Sequence, residues 1–142
     1  MTSLRPFHLA FPVRDLGDAR AFYGTLLGCK EGRSSAKWVD FDFFGHQIVA
    51  HLSPDEPEHK AHNVVDGDAV PVRHFGVILT MRAWHELVDT LTRENVTFLI
   101  APEIRFKGLP GEQATFFILD PSGNALEFKA FENDTRIFSR ER

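Results

Sequence analysis

The chain holds a single cysteine, Cys29, among its 142 residues, so no disulfide framework can form within it. A reducing cytoplasm is the setting this implies. Positive charge is also in short supply. The formal net charge is −4 at pH 7, which argues against a surface built for nucleic-acid phosphates. The one basic run, Arg136 to Arg142, is interrupted by Glu141. Apolar stretches are too short to span a bilayer, and the N-terminal MTSLRPFHLAF lacks the apolar region and small-residue cleavage site of a signal peptide. Neither nucleic acid nor membrane is therefore expected as a partner. Tyrosine occurs once and tryptophan twice, against 14 phenylalanines. That balance favours packed sheets and an apolar cavity lining over a polar binding face. Cys29 follows Gly28 at a helix-to-strand junction, a place for a buried filler more than a nucleophile.

Periodicity divides the chain into two similar halves. Phe7 to Val13 reads as a strand, and Gly17 to Leu27 as a helix with Ala19, Phe22, Tyr23, Leu26 and Leu27 on one face. Asp15 is placed to cap that helix and Gly28 to end it. After a loop of small and charged residues, Trp38 to Phe44 and Gln47 to Leu52 read as strands about a Gly45-His46 turn. Pro54 to Val70, acidic and rich in His and Pro, reads as a linker or exposed loop. The pattern then restarts. Arg73 to Thr80 predicts a strand and Arg82 to Glu94 a helix, stopped by Asn95. Val96 to Ala101 predicts a short strand, and Pro102 to Glu112 a loop. Ala114 to Leu119 and Asn124 to Phe131 predict a hairpin across Asp120-Pro121-Ser122-Gly123. The order strand–helix–strand–strand–strand thus occurs twice. The expected architecture is α+β: a single domain over 1–142, with module one about 5–55, a linker about 56–70, module two about 71–132 and a tail over 133–142. Gly45 answers Gly123 in the closing hairpins. The two glycines lie further apart than the two opening strands, so module two holds the longer internal loop.

Paired βαβββ modules form a curved mixed sheet about a central cleft, and the opening strands PFHLAF and RHFGVI each bring a histidine there. These are His8 and His74. In the last strand, NALEFKAF, alternation separates Leu126, Phe128 and Ala130 from Ala125, Glu127, Lys129 and Phe131. The first set is purely apolar and suits packing under helices, so Glu127 points into the cleft. A carboxylate in an apolar strand needs a partner. Taken singly, each histidine reads as a strand residue bonded locally, and Glu127 as the partner of a Lys or Arg. Taken together, two imidazoles and one carboxylate are a ligand set for a divalent metal, with open positions left for a chelating small molecule and O₂. Fe(II) is favoured, with Mn(II), Zn(II) and Ni(II) as alternatives.

VRDLGDARAFYGTLLGC resembles the first-helix signature of the glyoxalase, bleomycin-resistance and extradiol-dioxygenase superfamily, the vicinal-oxygen-chelate proteins. ILDPSGNALEF is similar to its closing motif and is the more specific match. The likeness runs from about Phe7 to Phe131 and is greatest to small proteins related to extradiol dioxygenases. It implies metal ligands on the first and last strands of the modules, here His8, His74 and Glu127. It implies a homodimer as well. The fourth family position falls in GHQIVAHLSP, which holds no acid. Val49 stands opposite Glu127 when Gly45 is matched to Gly123, and His51 lies two residues on along the same face. His51 is a candidate fourth ligand, a candidate catalytic acid/base, or a solvent-exposed strand end.

The missing carboxylate bears on chemistry, because moving protons between adjacent carbons needs a base beside the metal. The pattern therefore favours extradiol-type dioxygenation of a small vicinal diol, with His51 as proton donor. The competing readings are a glyoxalase- or epimerase-type lyase or isomerase, and a non-catalytic, resistance-type binding protein; one scaffold hosts all three. Arg105 and Lys107 are either clamps for an anionic group or solvated loop cations. Lys129 is a partner for Glu127 or a rim charge. His46, His59, His62 and His85 read as turn, linker or helix-surface residues. Ile137 and Phe138 are expected to pack against the body or across a dimer.

Overall fold

The computed structural model describes residues 4–57, 60–65 and 67–141. The chain is α+β and divides into two compact units. Unit one comprises Met1–Glu58 together with Asp120–Asn124; unit two comprises His59–Leu119 and Ala125–Arg142.

In unit one, β1 (His8–Val13) leads into α1 (Leu16–Ala19), which continues as a π-helical stretch over Arg20–Leu26. β2 (Lys30–Ser34), β3 (Trp38–Phe43) and β4 (His46–Leu52) follow. They form one mixed sheet in the order β1-β4-β3-β2, with β1 parallel to β4 and the other pairs antiparallel. Alternation sorts its faces. Val39, Phe41 and Phe43 of β3 are buried, as are Ile48 and Ala50 of β4. Asp40, Gln47 and His51 lie on the opposite face and remain accessible. The helical segment covers the apolar face with Ala19, Phe22 and Tyr23, and the Tyr23 ring lies 5.4 Å from Phe11 and 5.6 Å from Phe41. Asp15 caps the helix by accepting the Asp18 N–H at 2.8 Å, and Gly28, at φ +73°, ends it as expected.

The Asp120–Asn124 turn is part of this unit through polar contacts. Asp120 is 5% exposed. Its Oδ1 accepts the N–H groups of Ser122 and Asn124 at 2.9 and 2.8 Å. Its Oδ2 accepts the Tyr23 hydroxyl at 2.8 Å and the Asn124 amide at 2.9 Å. That same amide donates to the Pro12 carbonyl at 2.8 Å, and the Ser122 hydroxyl accepts the Arg14 N–H at 2.8 Å. The DPSGN motif thus acts as a polar fastening on β1 and the helix.

Unit two repeats the order. β7 (His74–Leu79), α2 (Met81–Arg93), β8 (Ile100–Arg105), β9 (Gln113–Leu119) and β10 (Ala125–Phe131) form a mixed sheet in the order β7-β10-β9-β8. Thr80 caps α2 through the Ala83 N–H at 3.1 Å, and Asn95 follows its end at φ 58°. Trp84 anchors the helix by donating its indole N–H to the Phe128 carbonyl at 2.9 Å. Phe116 and Phe128 stack beneath it at 5.3 Å. Gly76 is required where β7 meets β10: a Cβ there would run into the backbone carbonyl of Glu127.

Several segments differ from the sequence reading. The Pro54–Val70 stretch, expected as a linker or exposed loop, overlaps a hairpin, β5 (His62–Val65) with β6 (Asp68–Pro71). The loop after Gly28 holds β2, and β8 lies four residues later than the strand expected from Val96. The first hairpin turns on Phe44 and Gly45, both at positive φ, rather than on Gly45 and His46. Phe138 is 95% exposed, so it does not pack against the body of its own chain. His59 lies outside the described residues.

Candidate functional site

β10 shows the alternation expected of it: Leu126, Phe128 and Ala130 are fully buried, while Glu127 and Lys129 are half-buried on the other face. The β7–β10 register sets Gly76 beside Glu127 and His74 beside Ala125. His74 and Glu127 therefore meet across the strands, with His74 Nε2 3.2 Å from Glu127 Oε1. Each is also held from behind. His74 Nδ1 lies 2.7 Å from the Pro71 carbonyl oxygen, and its ring packs edge-on to Phe117 at 4.9 Å. Glu127 Oε2 accepts the hydroxyl of Thr115, a fully buried residue. Together with Gly76, Ile78 and Lys129, the pair lines a cleft of about 250 Å³.

The electrostatics follow from this geometry. Both nitrogens of His74 face oxygens, so the Glu127 hydrogen bond, opposed by burial and helped by the Pro71 carbonyl, raises its pKa above the ordinary value. Burial pushes Glu127 upward, but hydrogen bonds from His74 and Thr115 and the charge of Lys129 outweigh it and hold the carboxyl below its ordinary value. In the metal-free chain the two are joined side chain to side chain across the strands. His74 and Glu127, already converged and braced, are the residues on this side that would hold a divalent ion. The residues present thus fit a divalent ion on this side.

His8 opens β1 in unit one. Its Nδ1 lies 2.7 Å from Gln47 Oε1, a position set by the β1–β4 register. A carbonyl oxygen only accepts, so Nδ1 donates in this contact. Gln47 in turn reaches Asp40 at 3.4 Å. Val49, 7% exposed, occupies the register position in β4 that Glu127 holds in β10. His51 lies exposed near the end of β4, in register with Trp38 and Pro12. Among the described residues, no group of three or more His, Cys, Asp or Glu side chains is gathered closely enough to hold a metal ion.

Arg105 is engaged elsewhere. Only 10% of its side chain is exposed, and its guanidinium bridges Asp68 at 3.1 Å and Glu103 at 3.0 Å. It fastens the β5–β6 hairpin to β8 and is neither a solvated cation nor an open anion clamp. Cys29 is buried as expected, and burial, with the charge of Asp42, pushes its thiol up to about 12. Gln47, Thr115 and the Pro71 carbonyl were not singled out in the sequence. Thr115 left one signal, a lone hydroxyl within the apolar run ATFFIL. The other two become visible only once strand register is known.

No helix among the described residues is long and apolar enough to cross a membrane. No curated protein sequence matches the chain significantly. Among solved structures, a glyoxalase/bleomycin resistance protein/dioxygenase from Alicyclobacillus acidocaldarius is 38% identical, with 93% of this chain and 95% of that one covered and a TM-score of 0.78. An integron cassette protein from the mobile metagenome of V. cholerae is 25% identical over 93% of this chain and 98% of its own, with a TM-score of 0.61. The genomically encoded fosfomycin resistance protein FosX from Listeria monocytogenes shares the fold. Its TM-score is 0.67 at 18% identity, over 96% of this chain and 99% of its own. The sequence model of one family matches residues 5–128. The chain belongs to that family, the Glyoxalase/Bleomycin resistance protein/Dioxygenase superfamily.

Proposed function

We propose that this protein is a divalent-metal-dependent enzyme that cleaves a small vicinal diol with O₂, in the manner of an extradiol dioxygenase. The observation that carries the reading is the His74–Glu127 pair, converged at 3.2 Å and braced from behind by the Pro71 carbonyl and the Thr115 hydroxyl. His8 is the third donor in this reading, with its Nδ1 held by Gln47. It is supplied by unit one of the same chain or of a second copy. The favoured ion is Fe(II), which His8, His74 and Glu127 would hold and which would supply Lewis-acid activation of the diol and redox chemistry with O₂. The residues divide the remaining work. Thr115 and Pro71 fix the donor atoms, Ile78 and Gly76 give the diol an apolar wall, and His51 serves as a proton donor during the reaction.

Val49 separates this reading from lyase or isomerase chemistry. Proton shuttling between adjacent carbons calls for a carboxylate where that buried, apolar side chain stands. The superfamily's name covers resistance proteins as well as enzymes, and a binding-only protein has no need of a braced ligand pair.

Metal analysis of wild type beside His74→Ala tests the site, with about one ion per chain expected in the wild type and little in the variant. Equal content in the two would overturn it. Anaerobic Fe(II) reconstitution followed by a panel of catechols tests the reaction, and oxygen uptake is the expected result. Turnover of a thiol hemiacetal without oxygen uptake would favour the lyase.

A further inference from the structure

The geometry points to Lys129 as an anion-recognition residue, which makes the ligand of this cleft a small apolar body bearing a carboxylate or similar anionic group. The inference rests on the proposed function only in deepening it, by naming the substrate class of the same site. Lys129 stands two residues after Glu127 on the same face of β10 and lines the same cleft of about 250 Å³. It is the counterpart of His51, each lying six residues after its hairpin glycine, Gly123 and Gly45.

A simpler role would be to neutralise Glu127, but that carboxylate is already satisfied. Its Oε1 meets His74 and its Oε2 accepts from Thr115. Among the described residues Lys129 forms no ion pair. Its ammonium lies instead over the Phe131 ring, 5.4 Å from the centroid. A cation held over an aromatic face keeps its N–H donors for a third party. Glu127 acts on this ammonium only through charge, with no hydrogen bond between them, so an anion entering the cleft would find its donors open. Beside it, Gly76 and Ile78 offer a flat apolar wall. An aromatic or short aliphatic carboxylate matches both halves, with its body on Ile78 and its charge on Lys129.

The test uses two probes of one shape, benzoate and benzamide, titrated into the metal-free full chain and followed by amide NMR shifts. Wild type should bind benzoate at least tenfold more tightly than benzamide, with shifts concentrated on β7 and β10. Added salt should weaken the preference. Lys129→Met should lose the preference, whereas Lys129→Arg should retain it. Unchanged thermal melting of both variants would show that the fold is intact. Equal binding of the two probes to wild type, or an undiminished benzoate preference in Lys129→Met, would overturn the inference. The two proposals fail separately. Metal uptake without charge preference removes only the role of Lys129, and charge preference without metal uptake removes only the metal-dependent reaction.

Discussion

Asp120→Asn tests how firmly the DPSGN turn is fastened. The substitution changes almost no volume but replaces one carboxylate oxygen with an amide. The amide oxygen can stay on the Oδ1 side, where the Ser122 and Asn124 N–H groups converge. Its NH₂ must then occupy the Oδ2 side and face two donors, the Tyr23 hydroxyl and the Asn124 amide. Asn124 retains the Pro12 carbonyl. Tyr23, fully buried, can turn its oxygen to accept, but its proton is left without a partner. Losing a hydrogen bond to a charged acceptor and orphaning one buried donor costs about 2–4 kcal/mol. For a chain of this length the unfolding entropy is roughly 0.3 kcal/mol/K, so the melting temperature should fall by about 7–13 °C. Thermal unfolding followed by circular dichroism gives the answer. A fall of less than about 2 °C would mean that the turn is held by backbone alone and that the carboxylate network contributes little. The same network predicts an alkaline limb. Burial, then the charge of Asp120, raises the Tyr23 pKa well above 10.0. A raised acid contributes stability that is whole below its ordinary pKa and is lost as pH climbs beyond it. Wild type should therefore lose stability above about pH 10 more steeply than Tyr23→Phe, and parallel curves for the two would contradict the assignment.

Gly76→Ala should be among the most damaging single changes on β7, because the new methyl would meet the Glu127 backbone and the strands would have to part. The expected loss is about 3 kcal/mol or more, read by urea unfolding, together with weakened metal uptake. A stable variant with normal uptake would show that β7 and β10 do not need this close approach. Cys29 should resist a thiol reagent at pH 8 until the chain unfolds, since a pKa of about 12 leaves almost no thiolate and burial excludes the reagent. Rapid labelling of the native protein would contradict both.

The sequence revealed the elements whose alternation is complete. In β3 and β10 every second residue is buried against the helical layer, and parity alone put Glu127 on the open face. β2 was hidden because all five of its residues are exposed at a sheet edge, leaving no apolar period to detect. The β5–β6 hairpin was hidden for a related reason: all four residues of β5 are exposed, Val64 and Val65 among them, so no alternation marks a strand. The strand at β8 was misplaced because the apolar run Phe98-Leu99-Ile100 drew it forward, while the true strand carries Pro102 and two charges at an edge. Within the site, the repeat pointed to His8 and His74, and strand parity with the closing motif to Glu127. Their braces needed register: Pro71 acts through a backbone carbonyl, which no side-chain motif encodes, and Gln47 matters only because β4 sets it beside His8.

The turn from Asp120 to Asn124 has a consequence for how the chain can be divided. A fragment ending at Pro57 would keep all four strands of the first sheet, yet Tyr23 would have no acceptor for its hydroxyl and Pro12 no donor for its carbonyl. The first half of the gene therefore does not encode a self-sufficient half of the protein. Five residues made long after it close its core, so on the ribosome that half must wait for the ninth strand to be finished before its last hydrogen bonds can form.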